Sequence, residues 1–180
     1  MLVEMRVMSL ILDPLTHVPI VLLKDVEETF AIPIWIGILE AAAIEMKLNP
    51  ERHAISRPMT HDLMNNILSA FDINVKKVVV CDLRDNTFYA EIHLERDGQE
   101  VVMDARPSDS IALALRSGAS IWVDQKVIEQ SQTIDLTEEG MIEKLSPQPE
   151  ASDSSEKSEK DKWSEILERM SPEDFGKYKM

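Results

Sequence analysis

Nine polar side chains that could do chemistry stand where predicted strands or loops run into predicted helices. They are Glu40, Arg57, Thr60, His61, Asp62, Asp104, Arg106, Ser108 and Asp109. Such junctions expose side chains together with the free backbone N–H groups of a helix start, which suits anion binding. The sequence has no glycine-rich phosphate loop, no His-Glu-x-x-His pair and no nucleophile elbow around a serine.

The neighbours His61 and Asp62 allow two interpretations. As catalytic groups they are a base beside a carboxylate, or a pair of metal ligands near a helix start. As structural groups they complement the positive end of the helix dipole, Asp62 by its charge and His61 by its exposure. The residue types alone leave both interpretations open.

A second acidic group comprises Asp104, Asp109 and, farther away in the sequence, Glu40. These three carboxylates are candidate ligands for Mg²⁺ or Mn²⁺, hard cations that bind carboxylate oxygens and water. Alternatively, Asp104 is a strand-end carboxylate paired with Arg106, Asp109 is a first-turn acid, and Glu40 is an exposed helix residue. No organic cofactor is expected.

Arg57 and Arg106 each precede a proline at a predicted helix start. Their guanidinium groups could clamp a phosphate bidentately, with Thr60 and Ser108 nearby to complete the phosphate site. They could equally pin loops through carbonyl and carboxylate groups.

Hydrophobic periodicity and turn signals predict the elements that position these residues. Strands are predicted at 2–12, 18–23, 30–36, 75–83, 87–94, 100–105 and 121–123. Helices are predicted at 38–48, from an N-cap at Thr60 to about Phe71, and at 109–116. The second helix carries apolar residues at helical spacing and is expected to pack through that face. The resulting fold class is α+β, a largely antiparallel or mixed sheet with three main helices in one compact domain.

Composition divides the chain into a domain at 1–138, a flexible charged linker at 139–162, and a short amphipathic helix and tail at 163–180. Residues 1–146 hold 24 acidic and 13 basic side chains, a net charge of −11, and the remainder holds 9 and 6. Trp163, Ile166, Leu167 and Met170 fall on one helical face. A helix this short needs a partner, so we expect it to dock on the core, a neighbouring subunit or another protein.

Several features predict a cytoplasmic protein with no membrane segment and no signal peptide. No apolar run approaches the ~20 residues that a membrane helix needs, and Asp13-Pro14 stops the N-terminal run without a cleavage site. The single cysteine, Cys81, lies in a predicted buried strand and is expected to be a core side chain. Trp122 and the apolar tail face favour a homo-oligomer.

Four sequence blocks, in order, resemble the bifunctional nuclease domain family. They are Pro33-Ile34-Trp35-Ile36-Gly37 with Glu40-Ala41, Arg57-Pro58-Met59-Thr60-His61-Asp62-Leu63, Thr87-Phe88-Tyr89-Ala90, and Asp104-Ala105-Arg106-Pro107-Ser108-Asp109-Ser110-Ile111-Ala112-Leu113-Ala114. The resemblance covers roughly residues 1–136, with Ser110 in place of an expected alanine. It implies an α+β fold and hydrolysis of both DNA and RNA.

Two functions follow as hypotheses. The first is a metal-assisted phosphodiesterase acting on DNA and RNA with low sequence specificity, in which His61 transfers a proton and Arg57 and Arg106 steady the phosphate. The second is a non-catalytic module that binds an anion, a small ligand or a protein. The net charge of −11 favours the second, since nucleic-acid binders usually place Lys and Arg on phosphates. Convergence within metal-sharing distance in one cleft would favour the first, and scatter over separate helix ends as caps would count against it, for Glu40, His61, Asp62, Asp104 and Asp109.

Overall fold

Eight strands form one mixed sheet in the computed structural model, which describes residues 1–13, 16–53 and 56–136. The strands are β1 (Leu2–Leu12), β2 (Pro19–Asp25), β3 (Phe30–Trp35), β4 (Asn74–Arg84), β5 (Thr87–Arg96), β6 (Gln99–Ala105), β7 (Ser120–Asp124) and β8 (Ile134–Asp135). The helices are α1 (Ile38–Leu48), α2 (Thr60–Ala70), α3 (Pro107–Ser117) and α4 (Gln125–Gln130), with a 3₁₀ turn at Pro50–Arg52.

The strand order is β6-β5-β4-β7-β1-β2-β3-β8. Neighbouring strands are antiparallel except for β4 and β7, which are parallel. A parallel pair needs a crossover connection, and here the chain returns through β5, β6 and α3. In the described chain, β6 and β8 are therefore the two edges of the sheet.

The core lies between the sheet and the helices. Its fully buried side chains include Leu23, Ile32, Ile34, Ile44, Val78, Val80, Ile111 and Leu113. The helix α3 packs against both other long helices and over β4 and β5. Its Gly118 ends the helix with a positive φ of 75°, a conformation that glycine adopts without strain. The helix α3 thus connects the sheet to the starts of α1 and α2.

The predicted fold class is confirmed: the sheet is mixed, the three long helices are present, and the domain is α+β. Two short elements, α4 and β8, were not predicted. The expected N-cap at Thr60 is wrong, because Met59 holds the cap position and its N–H donates to Asp62 Oδ2 at 2.9 Å. The predictions for 139–162 and 163–180 lie outside the described residues.

Two expectations about burial are also corrected. The apolar side chains of α2 do not pack on the core, since the helix contains no buried residue. Cys81 is half-buried rather than a core residue, and burial together with the nearby Glu91 carboxylate raises the pKa of its thiol. Within the described ranges, no helix has the length and apolar character needed to cross a membrane.

Candidate functional site

The starts of three helices bring four of the predicted residues together. Glu40 lies in the first turn of α1, His61 in the first turn of α2 and Asp109 in the first turn of α3, while Arg106 is the N-cap of α3. Each helix start carries the positive end of a helix dipole, which favours the acidic residues placed there. We call Glu40, His61, Arg106 and Asp109 the helix-start cluster.

Arg106 joins two of the helices through its guanidinium group. Its Nη1 donates to Glu40 Oε1 at 2.8 Å, and its Nε donates to Asp109 Oδ2 at 2.7 Å. The side chain nevertheless remains 66% exposed. Because an arginine has five N–H donors, Arg106 keeps donors available for a further anion after it binds both carboxylates.

His61 contacts the opposite oxygen of the same aspartate. Its Nε2 lies 3.1 Å from Asp109 Oδ1, and its side chain is only 12% exposed. The hydrogen bond from His61, with a second from Arg106, outweighs desolvation and lowers the pKa of Asp109 from 3.8 to about 2. Within the described chain His61 Nδ1 has no hydrogen-bond partner. Asp109 therefore orients an imidazole whose other nitrogen is available for proton transfer.

Asp62 makes a separate ion pair with Arg116. Arg116 Nε donates to Asp62 Oδ1 at 2.6 Å, and Arg116 Nη1 donates to the Ala112 carbonyl at 2.9 Å. Burial raises the pKa of Asp62. Hydrogen bonds from the Met59 N–H and from Arg116 lower the pKa by more than burial raises it, so the net shift is downward. The Asp62 carboxylate thus holds the start of α2 against α3.

The sequence interpretation missed Arg116. It stands in the last turn of α3 near the buried Leu113 and Ala114, 54 positions from its partner. Only its helical spacing from Asp109, seven residues earlier on α3, indicates that it lies along the same face of the helix.

The remaining predicted residues do not contact the cluster. Arg57, Thr60 and Asp104 are exposed and Ser108 is buried in α3. Their side chains have no hydrogen bond or ion pair with another described residue. Asp104 lies on β6 opposite Glu91 and makes no ion pair with Arg106, the pairing that its structural interpretation proposed.

The proposed metal ligands are only partly brought together. Glu40 and Asp109 share Arg106, while Asp104 lies outside that pair. Among the residues that the structure describes, no three His, Cys, Asp or Glu side chains are grouped closely enough to hold a metal ion. The donors present therefore do not fit a metal centre built from protein ligands alone.

Comparison with known proteins gives a family and two relatives. A family profile, the bifunctional nuclease domain, matches residues 21–135. Two Mycobacterium tuberculosis proteins, from strain CDC 1551 / Oshkosh and strain ATCC 25618 / H37Rv, are each 34% identical over 174 residues. Each alignment covers 96% of this chain and 97% of the relative. Both relatives carry the name "uncharacterized protein", which states no activity.

Proposed function

Because the chain belongs to the bifunctional nuclease domain family, we propose that it hydrolyses phosphodiester bonds in DNA and RNA with low sequence specificity. The observation that carries the proposal is the helix-start cluster, where an oriented histidine and an exposed arginine lie on either side of Asp109. These two kinds of group can catalyse phosphodiester hydrolysis, one by moving a proton and one by stabilising charge on the phosphate.

In this proposal Arg106 binds the scissile phosphate. The carboxylates of Glu40 and Asp109 fix two edges of its guanidinium group, and the exposed remaining donors face the substrate. The three helix starts add partial positive charge around the same position. Arg106 would therefore stabilise the negative charge that grows on the phosphate oxygens in the transition state.

His61 would act as the proton-transfer group. Its Nε2 is held by Asp109, so Nδ1 is the atom that would accept a proton from the attacking water or give one to the leaving oxygen. A group that transfers a proton in this way typically contributes about 10²–10⁴-fold to the rate. Asp109 acts here as a positioning residue.

Dependence on Mg²⁺ or Mn²⁺ remains a prediction. Such an ion would neutralise phosphate charge and polarise water if the substrate and water supplied most of its ligands. Because the described carboxylates do not form a metal centre, no step of the proposed reaction is assigned to a metal.

The test is cleavage of labelled single-stranded DNA, duplex DNA and RNA by purified full-length protein, with Mg²⁺, Mn²⁺ or EDTA. His61→Ala and Arg106→Ala should each lower the rate by about 10²-fold or more. The matched controls His53→Ala and Arg96→Ala lie outside the cluster and should retain the wild-type rate. Equal rates in all four variants would show that the cluster does not catalyse the reaction.

A non-catalytic anion-binding module is the second candidate, and the net charge of −11 over residues 1–146 favours it. Such a module would use the same donors of Arg106 to bind a phosphate group without cleaving it. Binding of a labelled oligonucleotide that Arg106→Ala weakens, with no cleavage under any metal condition, would support this candidate over the nuclease.

A further inference from the structure

The outer surface of α2 and the edge strand β6 expose several large apolar side chains. On α2 these are Leu63, Met64 and Ile67, with Phe71 at its C-cap, and on β6 they are Val101 and Met103. Their exposures run from 39% for Met64 to 59% for Phe71. We call these six residues the α2–β6 face.

The two halves of this face are neighbours at both ends. Ile73, just after α2, lines one cavity together with Val101 and Leu94. At the other end of α2, His61 contacts Asp109, four residues after the last residue of β6. The end of α2 therefore lies near the start of β6, and the start of α2 lies near the residues that follow β6, so the two elements run in opposite directions.

The α2–β6 face continues the apolar side of the sheet. Val101 and Met103 pair with Leu94 and Ile92, which are buried, and directly opposed residues of antiparallel strands point to the same side. The helix α3 packs over β4 and β5, while Val101 and Met103 remain about half exposed. The core is thus incompletely covered at this edge.

We propose that a second copy of this chain covers the α2–β6 face in a two-fold dimer. Six half-exposed apolar side chains present on the order of 600 Å², which approaches the ~800 Å² that each partner buries in a standard interface. That area lies at the upper limit of the largest patch on a typical monomer, ~300–600 Å². Among the described strands β6 has no neighbour on its outer edge, and antiparallel pairing with the same strand of a second copy would satisfy the backbone groups there.

Charge argues against a nucleic acid as the occupant. Residues 59–72 and 99–105 contain no lysine or arginine, but they include Asp62, Asp72, Glu100 and Asp104. The two segments themselves offer a phosphate backbone no cation, and the nearby Arg96 and Arg106 lie at their ends rather than within the apolar surface. An apolar surface is complementary to its own copy. The face begins beside His61, so the second copy would lie next to the helix-start cluster.

The experiment measures the mass of the full-length protein by sedimentation from about 1 to 100 μM, a range that spans weak to moderate dimers. The wild type should sediment as a dimer. Ile67→Glu and Val101→Glu should each weaken dimerisation at least about 100-fold, because each buries a charge in the apolar interface. The matched control Val26→Glu, at a position that is 46% exposed in the turn after β2, should remain a dimer.

Both test positions are exposed in the monomer, so circular dichroism and thermal melting should show folded variants. If Ile67→Glu fails to fold, Val101→Glu on the other element still tests the interface. A monomeric wild type would overturn the proposal, and would indicate that another protein or another segment of the chain covers the face. A dimer that both variants leave intact would overturn it too, because the interface would then lie elsewhere.

Discussion

Two arginine–aspartate pairs join the helices, and their surroundings are opposite. Arg116 is 4% exposed and binds Asp62, whereas Arg106 is 66% exposed and binds Asp109. Arg116 also donates to a backbone carbonyl of its own helix. Arg106 instead reaches a second carboxylate, Glu40, and keeps its remaining donors toward solvent.

This difference separates an arginine that supports the fold from one that can bind a ligand. A buried guanidinium must have partners for its charge, and removing one of them leaves an uncompensated charge in the protein. An exposed guanidinium is solvated, so its carboxylate partners position it but add little stability. The buried pair, Arg116 with Asp62, is called the inner pair and should therefore control folding. The exposed pair, Arg106 with Asp109, is called the outer pair and should control chemistry.

The largest expected effect comes from breaking the inner pair. Asp62→Ala leaves the charge of Arg116 buried with a carbonyl as its remaining partner, so the free energy of unfolding should fall by about 2–4 kcal/mol. Urea unfolding at pH 7 measures this loss, with the exposed Glu27→Ala as the control, which should change stability by less than about 0.5 kcal/mol. An unchanged urea midpoint for Asp62→Ala would show that the buried pair is not what holds α2 to α3.

Neutralising the Asp109 carboxylate of the outer pair should lower the free energy of unfolding by a smaller amount. The pKa of Asp109 is 3.8 ordinarily and about 2 in the fold, so its ionised form stabilises the protein above about pH 4. Allowing for solvent screening, Asp109→Asn should cost about 1–2 kcal/mol at pH 7.

The pH dependence of stability tests whether the ionised form of Asp109 is the stabilising one. As the pH falls from 4 toward 2, wild-type Asp109 becomes protonated and loses its advantage, so the stabilities of wild type and Asp109→Asn should converge. Urea unfolding at pH 7, 4 and 3 follows the difference. A gap that stays constant over this range would mean that the ionised carboxylate is not the source. The control is Asp97→Asn, at an exposed aspartate outside the cluster, which should change stability at pH 7 by less than about 0.5 kcal/mol.

Removing the outer arginine should change stability less again. Arg106→Ala should lower the free energy of unfolding by less than about 1 kcal/mol, because its ion pairs are largely solvated. The same urea titration measures it, alongside Arg96→Ala, which removes an arginine that is 55% exposed and lies outside the cluster. A loss as large as that of Asp62→Ala would make Arg106 a structural residue and remove the distinction between the two pairs.

Local signals predicted the elements that hold the outer cluster. The bounds of α1 agree with the prediction because Gly37 precedes a run of alanine and other helix formers, and Asn49-Pro50 ends it. The strand β1 agrees equally well, since Asp13-Pro14 stops its apolar run. Similar start signals predicted helices near 38, 60 and 109, so Glu40, His61, Arg106 and Asp109 were expected at helix starts, where the structure has them.

Tertiary contacts explain what the sequence did not reveal. No local pattern links Asp62 to Arg116, and no pattern indicates which junction carboxylate binds Arg106. The apolar residues of α2 predicted a buried face, yet the helix contacts α3 through its other side and leaves Leu63, Ile67 and Phe71 exposed. Periodicity identifies an apolar stripe but cannot say whether the chain itself or another molecule covers it.

The smallest expected effect concerns Thr60, where the sequence and the structure assign the cap of α2 to different residues. An N-cap threonine costs about 1 kcal/mol when it is changed to alanine. Here Thr60 is the first helical residue and Asp62 binds the Met59 N–H, so Thr60→Ala should change stability by less than about 0.5 kcal/mol. Urea unfolding beside Ser69→Ala, an exposed position on the same helix, gives the comparison. A loss near 1 kcal/mol for Thr60→Ala would restore the sequence-based cap and would reduce the part that Asp62 plays at the start of α2.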